Sequence, residues 1–157
     1  MSQLLLDIAP DRQPSLDNFV AGRNLELLSA LRHALSSGSS ERCFYVWGEA
    51  GSGKSHLLQA CVRAAQDVQT NQNMQHSAIY AQGSVPPRSM DMGAAVVAVD
   101  DVEALDDAAQ IALFDLYNRI RDNGGMLLVS GKGSPLHLGL RDDLRTRLGW
   151  GLVYEVR

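Results

Sequence analysis

The chain has 157 residues, of which 45% are hydrophobic and 20% are charged, so we expect one globular domain with its own hydrophobic core. Its net charge of −4 argues against a protein that mainly coats nucleic acid. No apolar run approaches the roughly 18–20 residues that cross a bilayer, and the N-terminus lacks the basic segment of a secretory signal. Two cysteines, Cys43 and Cys61, form neither a disulfide framework nor a zinc site. These features predict a cytoplasmic protein without a membrane partner.

Hydrophobic periodicity alternates between the helical and the extended pattern along the chain. In chain order it predicts helix 24–35, strand 43–47, helix 55–65, strand 78–81, strand 94–99, helix 106–122, strand 126–130, helix 140–148 and strand 152–156. Polar, glycine-rich or proline-rich stretches predict loops at 36–40, 67–77 and 83–92. Strands that alternate with helices form a parallel sheet covered on both faces. The predicted fold class is therefore α/β, with a five-stranded parallel sheet.

Residues 48–55, GEAGSGKS, match the phosphate-binding pattern G-x-x-x-x-G-K-[ST] at every position. They lie between a predicted strand and a predicted helix, where backbone N–H groups and the helix N-terminus can surround an anion. In this motif the lysine neutralises the β- and γ-phosphates, and the serine hydroxyl binds Mg²⁺. A glycine-rich turn that carries a lysine by chance is the alternative. The predicted nucleotide site comprises Gly48, Glu49, Ala50, Gly51, Ser52, Gly53, Lys54, Ser55 and the adjacent His56.

A pair of acidic residues follows the apolar strand 94–99. If that strand ends beside the strand that leads into the phosphate loop, Asp100 lies near Mg²⁺ and orients a metal-bound water. Asp101 is then the candidate that polarises an attacking water, with Glu103 as a weaker alternative. The other interpretation is an acid-rich helix N-terminus, since Asp106 and Asp107 suit a capping role before the long helix.

Five segments resemble the nucleotide-binding core of the DnaA replication initiator and its relatives, a family within the AAA+ class. They are DNFVAGRN, GEAGSGKSHLLQA, VVAVDDVEAL, DLYNRI and LRTRLGWGLVYEV. The resemblance covers residues 16–156, with a poor match at 67–92. It implies a P-loop NTPase core over residues 15–157, ADP or ATP with Mg²⁺ as cofactors, and action on a neighbouring AAA+ subunit.

The resemblance also implies roles for individual residues. Phe19 and Val20 fall in the box with which the family contacts adenine, and Ser130 falls where the family senses the γ-phosphate. Arg147 matches the arginine that the family offers to ATP bound by another subunit, where a guanidinium stabilises transition-state charge. The alternative for Arg147 is an exposed helix arginine paired with Asp142 or Asp143.

The N-terminal tail, residues 1–14, resembles the peptide with which regulatory members of the family dock on the replicative sliding clamp. In that interpretation Gln3 hydrogen-bonds at the rim of a pocket on the clamp, while Leu4, Leu6 and Ile8 enter the pocket. The alternative is a segment that folds back on its own domain. The implied partners are DnaA and the sliding clamp, and assembly of several copies of the chain is compatible with this reading.

Three features depart from the family pattern. Lys132 stands where the family has an acid, so we expect weak or no intrinsic ATPase activity. Asp143 replaces the first arginine of the box that contains Arg147. The family continues after its last strand into a helical lid, whereas this sequence ends at Arg157. The resemblance thus implies a core without a lid, which would hold nucleotide more weakly.

These observations favour a regulator of replication initiation that binds adenine nucleotide and promotes hydrolysis of DnaA-bound ATP. A helicase-loader-like or initiator-like ATPase module is the main alternative, although no helix-turn-helix is recognisable and we expect no direct sequence-specific DNA binding. A self-sufficient P-loop kinase is less favoured, because neither an acceptor pocket nor an arginine-rich lid is apparent in the sequence.

Overall fold

A computed structural model describes residues 25–35, 42–49, 53–71, 78–86, 96–123 and 125–156. Within these ranges, helices and strands alternate for most of the chain. In chain order they are α1 (Leu25–Leu35), β1 (Cys43–Trp47), α2 (Lys54–Asn71), β2 (Ala78–Gln82), β3 (Val96–Asp100), α3 (Asp107–Asn123), β4 (Met126–Gly131), α4 (Asp142–Leu148) and β5 (Leu152–Glu155). Short 3-10 helices span Val102–Ala104 and Pro135–His137.

The five strands form one parallel sheet in the order β2-β3-β4-β1-β5. Because every strand runs in the same direction, all carboxyl ends meet at one edge of the sheet. The register keeps these ends level, with Trp47 opposite Gly131 and Gln82 opposite Asp100. From β1 the chain crosses to the far edge strand β2, returns through β3 and β4, and then passes β1 to reach β5. Ligands of open α/β sheets bind outside the carboxyl ends at such a reversal.

Side chains alternate between the two faces of each strand and build two separate layers of core. Phe44 and Val46 of β1 pack with α1 and α2 on one face, whereas Cys43 and Tyr45 pack with α3 and α4 on the other. All four side chains are buried. The sheet is thus covered by helices on both faces, which holds the ends of its inner strands in place.

Most element boundaries differ from the sequence prediction by one or two residues, and the end of α2 differs by more. Residues 67–71 continue α2 rather than forming a loop, because an existing helix can propagate through polar residues that lack an apolar face. Helix α4 begins at Asp142 rather than 140, since Arg141 has extended backbone angles and its N–H donates to Gln110 Oε1. Strand β5 ends at Glu155 rather than 156. Asp106 accepts from the Ala109 N–H at 2.8 Å, which confirms its predicted capping role.

No helix in the described ranges is long and apolar enough to cross a membrane.

We expect Gly151→Ala to destabilise the fold at the entry to β5. An added Cβ would lie 2.3 Å from the carbonyl oxygen of Cys43, so the two strands would have to separate. The expected loss is about 1–3 kcal/mol in the free energy of unfolding, as for other overpacked sites. Urea denaturation measures it. Gly139→Ala is the matched control, because its Cβ would meet nothing within 4 Å. Equal stability of the two variants would contradict the close approach.

Candidate nucleotide-binding site

The phosphate loop joins the end of β1 to the start of α2, as the sequence predicts. The Gly48 N–H donates to Gly131 O at 3.3 Å, which extends the β1–β4 pairing past the strand. Gly53 has φ of 99°, a conformation that favours glycine, and its carbonyl accepts from Leu57 N at 3.0 Å in the first turn of α2. Residues 50–52 (Ala50, Gly51 and Ser52) lie outside the described residues, so their predicted contacts with phosphate stay predictions.

Lys54 is buried, with 8% of its surface exposed, at the mouth of this loop. Its Nζ donates to the carbonyl oxygens of Gly48 and of Glu49, the second at 3.0 Å. An ammonium has three donors, and a buried one is costly unless acceptors surround it. The loop carbonyls satisfy two of these donors. A phosphate oxygen is the kind of acceptor that would complete the set.

The carboxylate of Asp100 is fully buried and accepts hydrogen bonds from three other elements. Ser55 Oγ on α2 and the Tyr80 hydroxyl on β2 both donate to Oδ2 at 2.5 Å. Ser130 Oγ on β4 donates to Oδ1. The sequence predicted that Ser55 and Asp100 lie at the same Mg²⁺, and this contact places a hydroxyl and a carboxylate together beside the phosphate loop. The predicted adjacency of β3 and β1 is wrong, because β4 lies between them.

This oxygen pair fits the chemistry of Mg²⁺. Magnesium prefers oxygen ligands, keeps several waters, and is usually held by one or two protein groups together with substrate phosphates. The described residues contain no group of three or more His, Cys, Asp or Glu side chains that could form an all-protein cage. Ser55 and Asp100 would therefore hold Mg²⁺ jointly with phosphate oxygens and water.

Ser130 and Asp101 complete the hydrogen-bond network behind Asp100. The Asp101 N–H donates to Ser130 Oγ at 2.9 Å, while the hydroxyl hydrogen of Ser130 goes to Asp100. Asp101 adopts a left-handed backbone (φ 59°), and its carboxylate accepts from Gln82 Nε2 at 2.9 Å. In this structure Ser130 positions the acidic pair, and its sensing of a γ-phosphate stays a prediction. The same holds for the catalytic role of Asp101.

Sequence reasoning missed Tyr80 and Gln82, the two β2 residues that contact the acidic pair. Both are polar positions in the strand AIYAQ, and they lie on one face because side chains alternate. Their neighbour in the sheet is β3, where Gln82 is level with Asp100. The sequence shows that Tyr80 and Gln82 share one face of β2. It does not show that β2 lies beside β3, which brings them to the acidic pair.

Arg147 lies away from this site, toward the amino ends of the strands. It precedes β5, whose first residue Leu152 pairs with Phe44 near the start of β1, whereas Lys54 follows the end of β1. The guanidinium carbon lies 4.0 Å from the ring centroid of Trp150 and 5.3 Å from that of Phe114. Arg147 Nε is buried and has no hydrogen-bond partner among the described residues.

The neighbouring acids are paired with other arginines. Asp142 accepts from Arg145, and Asp143 lies 3.6 Å from Arg141 Nε. Arg147 is therefore not the exposed partner of Asp142 or Asp143 that the alternative interpretation predicted. Aromatic stacking holds the guanidinium instead.

The remaining predicted residues divide into two groups. His56 is half-buried in the first turn of α2, beside Ser55. Those predicted to contact adenine or the clamp lie outside the described residues: Phe19, Val20, Gln3, Leu4, Leu6 and Ile8. Their roles stay predictions.

Comparison with known proteins identifies relatives of this chain. No family model matches it. An uncharacterized protein of Haemophilus influenzae is 36% identical over an alignment of 169 positions, which spans 98% of this chain and 68% of that protein. The solution structure of protein NMB1076 from Neisseria meningitidis is 35% identical, with a TM-score of 0.57, and the match covers 100% of this chain and 99% of that one. The chain belongs to the family of these two proteins.

The fold of this family is shared with the DnaA initiator. DnaA from Aquifex aeolicus, solved with AMPPCP bound, superposes with a TM-score of 0.72 at 22% identity, over 92% of this chain and 50% of that chain. This chain therefore spans about half the length of the DnaA chain it matches. At this identity the likeness shows the fold alone, and it confirms the predicted α/β fold with a five-stranded parallel sheet.

A buried tyrosine supports the turn that follows β4 in this member of the family. The Tyr45 hydroxyl donates to Gly133 O at 2.6 Å, and a Cβ on Gly131 would lie 2.1 Å from that hydroxyl oxygen. Lys132 N donates to Glu103 Oε1 at 3.1 Å in the same turn. Burial, and then the negative charge of Glu103, raise the pKa of Tyr45 above its ordinary value of 10.0.

This pKa shift predicts that the fold loses stability in strong alkali. Because the folded-state pKa of Tyr45 is the higher one, the protonated hydroxyl stabilises the native state fully below the unfolded pKa of about 10. That contribution is lost as the pH rises above this value. Urea unfolding of wild type and Tyr45→Phe at pH 8 and pH 11 measures the effect. The variant should show a smaller decrease than wild type between the two pH values. Equal decreases in the two proteins would contradict the assignment.

Proposed function

We propose that this chain binds ADP or ATP with Mg²⁺ at residues 48–56. The observation that carries the proposal is the convergence of Lys54, Ser55 and Asp100 at the carboxyl edge of the sheet. A buried ammonium and a buried carboxylate that accepts from a serine hydroxyl meet where a glycine-rich loop enters a helix. This arrangement suits a magnesium-bound polyphosphate. The DnaA structure with AMPPCP, which shares the fold, agrees with it.

Each group of the site has a distinct part in the proposal. Backbone N–H groups of the loop bind the phosphates, and Lys54 neutralises the β- and γ-phosphates. Ser55 and Asp100 would hold Mg²⁺, which when bound offsets the negative charge of the phosphates. Phe19 and Val20 contact adenine. We further propose that intrinsic hydrolysis is weak, because Lys132 stands where related proteins carry an acid.

Lys54→Ala should abolish nucleotide binding while leaving the fold intact. The chain contains one other lysine, Lys132, which is exposed and offers a matched control. Fluorescent ADP titrated into each protein with Mg²⁺ present should bind wild type and Lys132→Ala equally. The Lys54→Ala affinity should fall at least about 100-fold, since a charged donor at the phosphates is lost. Circular dichroism confirms folding. Unimpaired binding by the folded Lys54→Ala protein would overturn the assignment of the site.

We also propose that the chain acts on a second AAA+ protein, as does Hda, the regulatory inactivator of DnaA. The position of Arg147 supports this proposal. It lies toward the amino ends of the strands, whereas the chain's own phosphate loop follows the carboxyl end of β1. Arg147 is therefore not positioned to contact nucleotide bound at that loop. Its guanidinium is held by Trp150, which is 59% exposed. An arginine presented in this way can reach the γ-phosphate of ATP on another subunit.

Docking on the sliding clamp would bring this arginine to its target. The proposed peptide comprises residues 3–8, and the support for it is the sequence pattern alone. Tethering two proteins on one clamp raises their effective concentration, so weak direct contacts suffice. DnaA and the clamp are the proposed partners, and the reaction is the hydrolysis of ATP bound to DnaA.

Arg147→Ala should remove stimulation of the partner ATPase. The assay follows ADP formation from ATP-bound DnaA mixed with clamp, DNA and the full chain. Loss of an arginine finger lowers such rates by about 10³–10⁵-fold where it has been measured, so the variant should leave only the unstimulated rate. Arg141→Ala is the control, because Arg141, which immediately precedes α4, is exposed and pairs with Asp143. Omission of the clamp should also lower the rate.

The outcomes of this assay separate the hypotheses. If Arg147→Ala stimulates as well as Arg141→Ala does, the proposed mechanism is wrong. If wild type gives no stimulation but hydrolyses ATP alone, the chain is a self-contained ATPase module instead.

A further inference from the structure

Asp100 already uses most of its hydrogen-bonding capacity in this structure. A carboxylate has two oxygens and about four acceptor positions. Oδ2 accepts from Ser55 and from Tyr80, each at 2.5 Å, and Oδ1 accepts from Ser130. Both acceptor positions of Oδ2, the oxygen that faces the phosphate loop serine, are therefore filled by hydroxyl groups of the protein.

The two hydroxyls on Oδ2 have different relations to a magnesium ion. The oxygen of Ser55 can bind the metal and still give its hydrogen to Asp100, because donation and coordination use different parts of the hydroxyl. The Tyr80 hydroxyl comes from β2 and fills the second acceptor position of Oδ2, which is then not available to a metal-bound water.

Tyr80 is also the partner of Asp100 that can move away most readily. Ser130 lies in an inner strand and is fully buried, and Ser55 lies in the first turn of α2. Tyr80 lies on β2, the edge strand of the described sheet, and is only partly buried. The side chain of Gln59, one turn along α2 from Ser55, lies near the Tyr80 hydroxyl, and its amide oxygen offers that hydroxyl an alternative acceptor.

We propose that the Tyr80 hydroxyl competes with a magnesium-bound water for Asp100 Oδ2, so that Tyr80 sets how much Mg²⁺ the nucleotide site requires. The inference rests on the proposed nucleotide site and adds a residue that tunes it. Without bound Mg²⁺ the tyrosine gives this buried carboxylate a third donor beside Ser55 and Ser130, and a buried charge is costly unless it is hydrogen-bonded. When Mg²⁺ and nucleotide bind, the hydroxyl leaves Oδ2 and turns to Gln59 or to solvent.

Tyr80→Phe removes the competing hydroxyl and keeps the ring. Calorimetric titration with ADP at a series of Mg²⁺ concentrations, with EDTA as the zero point, gives the Mg²⁺ concentration at which binding is half-maximally enhanced. We expect this concentration to fall about tenfold in Tyr80→Phe, because one hydrogen bond to a charged group no longer has to be broken. ADP affinity in EDTA should change little.

Tyr154→Phe is the matched control. It removes a hydroxyl from β5, the edge strand at the other side of the sheet, so its Mg²⁺ requirement should equal that of wild type. A second measurement follows the tyrosine directly. In protein labelled with ¹³C in its tyrosine rings, the signal missing from Tyr80→Phe should shift when ADP and Mg²⁺ are added together, and stay in place with ADP and EDTA.

Each result decides the question. A lower Mg²⁺ requirement in Tyr80→Phe, together with the Mg²⁺-dependent shift in wild type, supports the proposal. An unchanged requirement, even with a lower melting temperature, shows a merely structural hydroxyl and overturns it. A higher requirement shows that Tyr80 holds Asp100 for the metal rather than competing with it, and this also overturns it. If wild type fails to bind ADP at all, the proposed nucleotide site falls, and the inference falls with it.

Discussion

The buried carboxylate of Asp100 is the group on which the candidate site depends. A fully buried charge is tolerated only where donors surround it, and here the donors are hydroxyls from α2, β2 and β4. The same bonds hold the ends of three parallel strands and the first turn of a helix at one point. Removal of any one donor would therefore affect both the local fold and the chemistry available beside the phosphate loop.

The length of the parallel strands separates two groups of side chains, one at each end of the sheet. One edge carries the loop, with its lysine and the hydroxyl-bound carboxylate, which suits a magnesium-bound phosphate. The opposite edge carries Arg147 against an exposed tryptophan, which suits contact with another molecule. Because one strand cannot bring both of its ends to the same ligand, the arrangement supports the proposal of a chain that binds one nucleotide and acts on another. That division is the physical basis of the proposed regulatory role.

Much of this organisation could be predicted from local patterns. Short, mostly apolar runs predicted all five strands, and the phosphate loop was recognisable because eight residues and both flanking elements agreed. The α/β class and the meeting of Ser55 with Asp100 followed from the rule that parallel strands end at one edge. The polar end of α2 was missed, since residues 67–71 have no apolar face to signal a helix. The stacking of Arg147 on Trp150 was missed too, because its acidic neighbours suggested ion pairs instead.

The sequence by itself determined which residues are chemically able to bind phosphate, since a glycine-rich loop and its lysine act through their own backbone and side chain. It also determined the strand and helix pattern, because periodicity is local. Only the tertiary structure decided which residues surround Asp100. Tyr80 and Gln82 reach the acidic pair because β2 lies beside β3, and Ser130 reaches it because β4 lies on the other side. Such neighbours arise from strand order, which depends on the packing of the whole sheet rather than on any one segment.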